Sequence, residues 1–365
     1  MRLFLCALLS LMALRLFGQK PTLPEPKGYV CHQTLSPLKI DGQALESDWQ
    51  QAPFSDFFID IEGDRKPRPA FDTRVKMLWD SSYLYFYAEM EEPHLWAKIT
   101  RRDAVIFYDN DFEIFIDPDG DTHNYHEFEV NALNTVWDLL LTRPYRDGGR
   151  PLTGWDFKGL KSAVHLKGTL NDASDTDEGW SVEVAIPWKA LKDGMRVKSP
   201  PREGEQWRIN FSRVQWNTEI IDGNYQKKKN PDTGKNLPEH NWVWSPQRVI
   251  NMHEPEFWGI VQFVSNIEPD DQQVAISERE QEIRMMLYQI HRAQRSYFRQ
   301  HKEYSDSLKH LLETPLRYSN GESINLLMDA FPNGQRYQAS IVNNQKQTQL
   351  FWHINELGRI WKARK

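Results

Sequence analysis

Period-two alternation of apolar and polar residues runs through most of the first 264 positions, and it is clearest between Asp111 and Asn131. Asp111-Phe112-Glu113-Ile114-Phe115-Ile116-Asp117 and Tyr125-His126-Glu127-Phe128-Glu129-Val130-Asn131 flank a Pro118-Asp119-Gly120-Asp121 turn cluster, which predicts a β-hairpin. Successive strand side chains point to opposite faces. Phe112, Ile114, Ile116, Phe128 and Val130 therefore form an apolar wall, and Glu113, Phe115, Asp117, Tyr125, Glu127, Glu129 and Asn131 form a polar, ring-bearing face. That face is read either as solvent-facing sheet or as a binding surface.

The same alternation predicts strands at Leu38–Ile40, Thr73–Trp79, Tyr83–Met90, Val136–Leu141, Ala163–Leu170, Trp180–Ile186, Trp207–Val214 and Trp258–Val264. A single helical turn at 44–49 sets Trp49 inward. Many short strands separated by turn signals, with hardly any helix, indicate a mainly β fold: an antiparallel, jelly-roll-like β-sandwich over 38–268. Residues 19–37, with Pro21, Pro24, Pro26 and Pro37, read as an irregular lead-in. The periodicity changes near Pro269. Ser277-Glu278-Arg279-Glu280 is a capping box, and Ile283, Met286, Leu287 and Ile290 follow at helical spacing to about His301. A short helix at 307–312 and strands at 337–342, 349–354 and 360–363, with a turn at Asn343-Asn344, complete a small α+β domain over 272–365.

Residues 1–18 carry a basic end and a short apolar run, the pattern of a secretory signal peptide. The run is too short to span a bilayer. Export is expected, to the periplasm, the cell exterior or the outer-membrane surface. Removal of the signal leaves Cys31 as the single cysteine, so no internal disulfide is expected. Forty-five Lys and Arg against 51 Asp and Glu leave a net charge of −6, which argues against nucleic-acid and anionic-membrane partners.

Several features carry candidate chemistry. Asp117, Asp119 and Asp121 place three hard oxygen ligands around one turn, a pattern that suits calcium. Glu127 and Glu129 share a face, a spacing compatible with a hydroxyl-accepting pair or with the acid and base of a glycosidase. His123 and His126 read as exposed loop histidines, and Lys227-Lys228-Lys229 as a solvated loop. Trp49, Trp79, Trp180, Trp207 and Trp258 sit in apolar patterns and are assigned to the core. The 277–301 helix offers a stripe for a protein partner. No nucleophile elbow, phosphate loop or zinc spacing is present.

Taken in order, Ile40-Asp41-Gly42 with Trp49, Leu78-Trp79-Asp80 with Tyr83-Leu84-Tyr85, Asp111–Asp117, Glu129-Val130-Asn131, Trp180–Ile186, Trp244-Ser245 and Phe257-Trp258-Gly259 resemble the family 9 carbohydrate-binding module in its longer exported form, over about residues 30–264. The resemblance implies a non-catalytic β-sandwich that clasps terminal sugar units between aromatic side chains, in some members with structural calcium, in the setting of polysaccharide utilisation. It also implies that Glu113 accepts sugar hydroxyls and that Asn131 lies beside the pocket. Three positions depart from the family pattern. Phe107, next to Tyr108, stands where a tryptophan is expected. Met252 stands at the second clamping tryptophan, and Glu129 at a basic position. The candidate pocket is then Phe107 and Tyr108 as floor, Glu113, Glu129 and Asn131 as hydroxyl partners, and Met252 as wall, with Arg213 and Trp216 ranked lower. Sandwiches of related fold also bind haem through methionine and histidine or lysine, and Met252 and His253, with Met77, Met90 and His94, are the residues such an alternative would use.

Overall fold

The computed structural model describes residues 25–193, 199–265, 273–331, 333–345 and 348–364. The expected signal segment lies outside the described residues. In the first part of the chain the strands are β1 (Gly28–Gln33), β2 (Ile59–Asp60), β3 (Thr73–Trp79), β4 (Tyr83–Glu91), β5 (Asp111–Asp117), β6 (Tyr125–Asn131), β7 (Val136–Leu141) and β8 (Pro151–Leu152). They continue as β9 (Lys161–Lys167), β10 (Gly179–Pro187), β11 (Gln206–Gln215), β12 (Thr218–Ile221), β13 (Asn224–Lys227), β14 (His240–Val243) and β15 (Gly259–Val264). Hydrogen bonding links thirteen of them in one sheet, in the order β8-β7-β6-β5-β11-β15-β1-β3-β4-β10-β9, with β14 beside β11 and β2 beside β14; β12 and β13 pair separately.

This long sheet curls until its two halves face each other. Phe112, Ile114, Phe128 and Phe211 of one half pack in a single core with Val75, Phe86, Val182 and Val184 of the other. The ring centroids of Phe86 and Phe211 are 5.6 Å apart, edge to face. Strands β5 and β6 pair antiparallel with Asp111 opposite Asn131 and Glu113 opposite Glu129, so the central hairpin forms in the register its alternation requires. All five tryptophans assigned to the core are at most 5% exposed.

Two expectations are corrected. Residues 28–33 are not irregular: Tyr29-Val30-Cys31-His32 is a buried run, and β1 inserts between β15 and β3, parallel to both. The sandwich is therefore built on a mixed sheet, because a run buried on both faces belongs in the sheet interior. Leu38–Ile40, by contrast, forms no strand. The helical turn carrying Trp49 is α1 (Ser47–Gln51), and the indole Nε1 donates to the buried Glu183 at 2.9 Å.

Gly259 shows how tightly the core closes. A Cβ there would sit 2.2 Å from the ring of Trp244. Gly259→Ala is expected to lower stability by about 1–3 kcal/mol through overpacking, measured as a fall in urea midpoint at unchanged m-value.

The second part consists of α2 (Glu278–His301), α3 (Leu308–Leu311) and an antiparallel sheet β16 (Leu326–Ala330), β17 (Tyr337–Gln345), β18 (Thr348–Asn355) and β19 (Ile360–Arg364). Ser277 caps α2 by accepting from Glu280 N, as the capping box predicts. Ile283, Leu287 and Ile290 bury against Ile341, Trp352 and Ile354. The helix stripe is thus spent within the domain rather than presented to a partner. Asn343 and Asn344 are not a turn; β17 runs on to Gln345, which pairs with Thr348.

Candidate functional site

The hairpin's polar face is roofed rather than open. Phe115, Tyr125, Leu139 and Leu141 on that face pack against Ile61, Val243, Met252 and Trp258, which come from β14, the 244–258 loop and the segment after β2. Further along the same face lie Glu127, Glu129, Glu113 and Asp111, each at most 5% exposed. Burial of so many carboxylates raises their proton affinity: Glu113 is pushed up to about 7, and Asp111, Glu127 and Glu129 well above the ordinary range, with mutual repulsion adding to desolvation.

The structure brings part of the expected pocket together. Oxygen atoms of Asp111, Glu113 and Glu129 lie within 4.8 Å of one another. Phe107 N donates to Glu129 Oε2 at 3.2 Å, so the turn Ile106–Tyr108 is seated beside the trio. Tyr108 follows with its ring 56% exposed, 4.9 Å from that of Phe107. Trp216 supports this turn by donating Nε1 to Phe107 O at 2.8 Å. Beside it opens a cleft of about 590 Å³ lined in part by Trp96, Lys98, Tyr108, Asp109, Tyr225 and Lys227. Lys227, expected in a solvated run, lies over the Trp216 ring at 3.3 Å, and burial lowers its ammonium to about 8.

Other expected members are placed elsewhere or already occupied. Asn131 donates to Ile99 O and Asp109 Oδ2 and accepts from Leu133 N and Thr135 N, which uses all its amide positions. Its role here is to brace the turn that carries Tyr108. Arg213 projects from the opposite face of the sheet to Glu113, because Glu113 pairs with Ser212 and neighbours alternate. Arg213 is buried against Glu92, Thr73 and the Trp242 ring, so it is a core cation and not a pocket residue. Met252 belongs to the roof cluster at 9% exposure, a wall of the covered end. Met77 and Met90 lie in the sandwich core, in a different cluster from Met252, so the residues of a haem alternative are not gathered.

Two residues escaped sequence reasoning. Tyr145, near the start of a Gly/Pro/Arg-rich loop, is 45% exposed and stacks edge-on with His253 at 4.5 Å; burial, with the charges of Glu127 and Glu129, pushes its hydroxyl up to about 12. The loop carries no periodicity, so nothing in the sequence ties it to the glutamates. His126 is the second. It is fully buried on the core face against Trp155 and Phe157, not an exposed loop residue, since its parity matches Phe128 and Val130.

At the hairpin turn, oxygens of Asp117, Asp119 and Asp121 lie within 4.8 Å of one another, and Asp117 Oδ1 is buried without a hydrogen-bond partner. This donor set fits a hard cation. Arg359 binds Asp121 only through Oδ2, at 2.7 Å, while Oδ1 accepts from His123 N.

With this geometry in hand, the family model for the carbohydrate family 9 binding domain-like module matches residues 40–264. The chain belongs to that family. Among curated relatives, the exoglucanase XynX of Acetivibrio thermocellus is 29% identical over 118 residues, 32% of this chain and 9% of that protein. The endo-1,4-beta-xylanase A of Thermotoga maritima is 29% identical over 124 residues, 33% of this chain and 9% of the enzyme. The family 9 chain thus matches less than a tenth of the length of these enzymes. A family 9 module of Caldicellulosiruptor kristjanssonii, solved with cellotriose, superposes at TM-score 0.41 with 16% identity, covering 69% of this chain and all of the module. Among the described residues no helix is long and apolar enough to cross a membrane.

Proposed function

We propose that this protein is an exported, non-catalytic carbohydrate-binding protein that takes terminal sugar units of glycans at the Tyr108 edge of the central hairpin. The observation that carries the reading is the exposed Tyr108 ring at the mouth of a cleft, seated by Phe107 on the carboxylate of Glu129, on the ribbon where this family places its sugar-accepting glutamate. A pyranose offers a C–H face to a ring and a rim of hydroxyls to polar groups. Burying about 60 Å² of C–H surface on Tyr108 contributes on the order of 1.5 kcal/mol. Hydroxyl hydrogen bonds to Asp109, Lys98 and Lys227 in the cleft, and to Glu113 of the neighbouring carboxylate group, add modest net energy because water is given up. Micromolar or weaker affinity follows. A calcium ion at Asp117, Asp119 and Asp121 would fasten the hairpin turn without touching the sugar.

A glycan array on the purified chain tests the reading. Tyr108→Ala is expected to weaken the bound glycan about tenfold, from the lost stacking. Glu113→Ala is expected to abolish binding, with the thermal melt in EDTA largely retained. An array with no binder, or a binder indifferent to Tyr108, refutes the proposal.

A further inference from the structure

The trio beneath Tyr108 has a property that sugar binding leaves unexplained. Asp111 is fully buried, and neither of its carboxylate oxygens has a hydrogen-bond partner. Ser212, opposite Glu113 in the β5–β11 ladder, is also fully buried, and its Oγ is likewise without a partner. Among the described residues no lysine, arginine or histidine pairs with Asp111, Glu113 or Glu129, although Glu92, Asp138, Glu254 and Glu256 elsewhere in the chain each have an arginine. Three buried carboxylates without a counter-charge are unfavourable, because a buried charge needs a partner and like charges oppose one another.

We propose that Asp111, Glu113 and Glu129 bind a divalent, oxygen-liganding cation of the calcium type, with Ser212 Oγ available as a further neutral ligand. The geometry suits this ion. Calcium holds oxygen ligands at about 2.3–2.6 Å, so two ligands of one ion lie at most about 5 Å apart. The three carboxylates meet that limit, with one oxygen of each within 4.8 Å of the others, and they come from three positions fixed by regular sheet pairing. Asp111 and Glu113 are alternate residues of β5, and Glu129 is the cross-strand partner of Glu113 on β6. One ion would therefore bridge the two strands of the central hairpin at the end opposite its turn. The orphaned oxygens of Asp111 and Ser212 are then explained as ligand atoms, and most of the negative charge is offset without an arginine. This site is separate from Asp117, Asp119 and Asp121, which lie at the other end of the same strand. It stands on the carboxylates alone and does not require that a sugar bind.

The test is calcium titration of the chelator-treated full chain by isothermal calorimetry, paired with thermal melts in EDTA and in calcium. Asp111→Asn and Glu129→Gln are each expected to bind one calcium fewer than the unsubstituted chain, and Asp119→Asn is expected to keep the site. Melting gives a second readout that is independent of stoichiometry. In EDTA, Asp111→Asn should melt no lower than the unsubstituted chain, since it removes an unpaired buried charge. In calcium the order should reverse by several degrees. Equal calcium stoichiometry in the unsubstituted chain and Asp111→Asn, or a melt of Asp111→Asn that is lower in both media by the same amount, overturns the proposal.

Discussion

Replacing Arg146 by methionine is expected to lower stability by about 3–5 kcal/mol, the range for removing one partner of a buried ion pair. Arg146 is 14% exposed and sits among Asp147, Glu254 and Glu256, which are 2%, 9% and 0% exposed. It holds Glu256 at 2.8 Å and pairs with Glu254 as well. Burial pushes Glu256 upward, but the guanidinium groups of Arg146 and Arg292 outweigh it and hold the carboxyl below its ordinary value. Methionine keeps the volume and leaves these carboxylates under-compensated. Arg292→Ala is the control. Arg292 reaches Glu254 and Glu256 from α2 at 2.9 and 2.8 Å, but it is 46% exposed, so its loss should cost about 1 kcal/mol or less. Urea denaturation of both variants decides the matter. Equal losses would show that burial of Arg146 is not what gives this network its weight.

The second large effect is a pH dependence centred on His126. Both ring nitrogens are buried without hydrogen-bond partners, and desolvation lowers the imidazole from 6.5 to about 3. Unfolded, the ring takes a proton below about pH 6.5; folded, it stays neutral until about pH 3. The unfolded state therefore binds the extra proton, and stability is lost as pH falls between those values. At pH 4 the accumulated loss from this group is on the order of 3 kcal/mol. His126→Phe keeps a ring against Trp155 and Phe157 and removes the titration. The stability difference between pH 7 and pH 4 should shrink by about that amount in the variant, measured by urea denaturation at both values. A difference unchanged from the unsubstituted chain would mean that the ring is solvated.

Local chemistry was legible where one strand or helix decides the outcome. Parity in Asp111–Asp117 and Tyr125–Asn131 placed Phe112, Ile114, Ile116, Phe128 and Val130 in the core, and Ser277 marked the start of α2. Parity alone would also have buried His126, had its polarity not been given more weight than its position. Partnership across long sequence separations was not legible. Nothing local shows that Ile61, Val243, Met252 and Trp258 roof the hairpin, or that Asn131 is used up on Ile99, Asp109, Leu133 and Thr135. The same parity placed Glu113 and Glu129 on one face of the hairpin, and the structure gathers their oxygens. Arg213 was misplaced because proximity in sequence to Trp216 says nothing about which side of β11 it takes. Strand β16 was missed since its residues are at most half-buried on either face and give the alternation little contrast.

The position of β1 has a consequence for biosynthesis. Its neighbour on one side, β15, lies more than 220 residues further along the chain, so β1 has an empty flank until Gly259–Val264 has emerged. Until then Cys31 and Phe263 cannot meet, and the growing chain carries a greasy, unpaired margin. Closure of the sandwich is thus a late event that waits for residues 259–264, with the slow kinetics that distant strand pairing imposes.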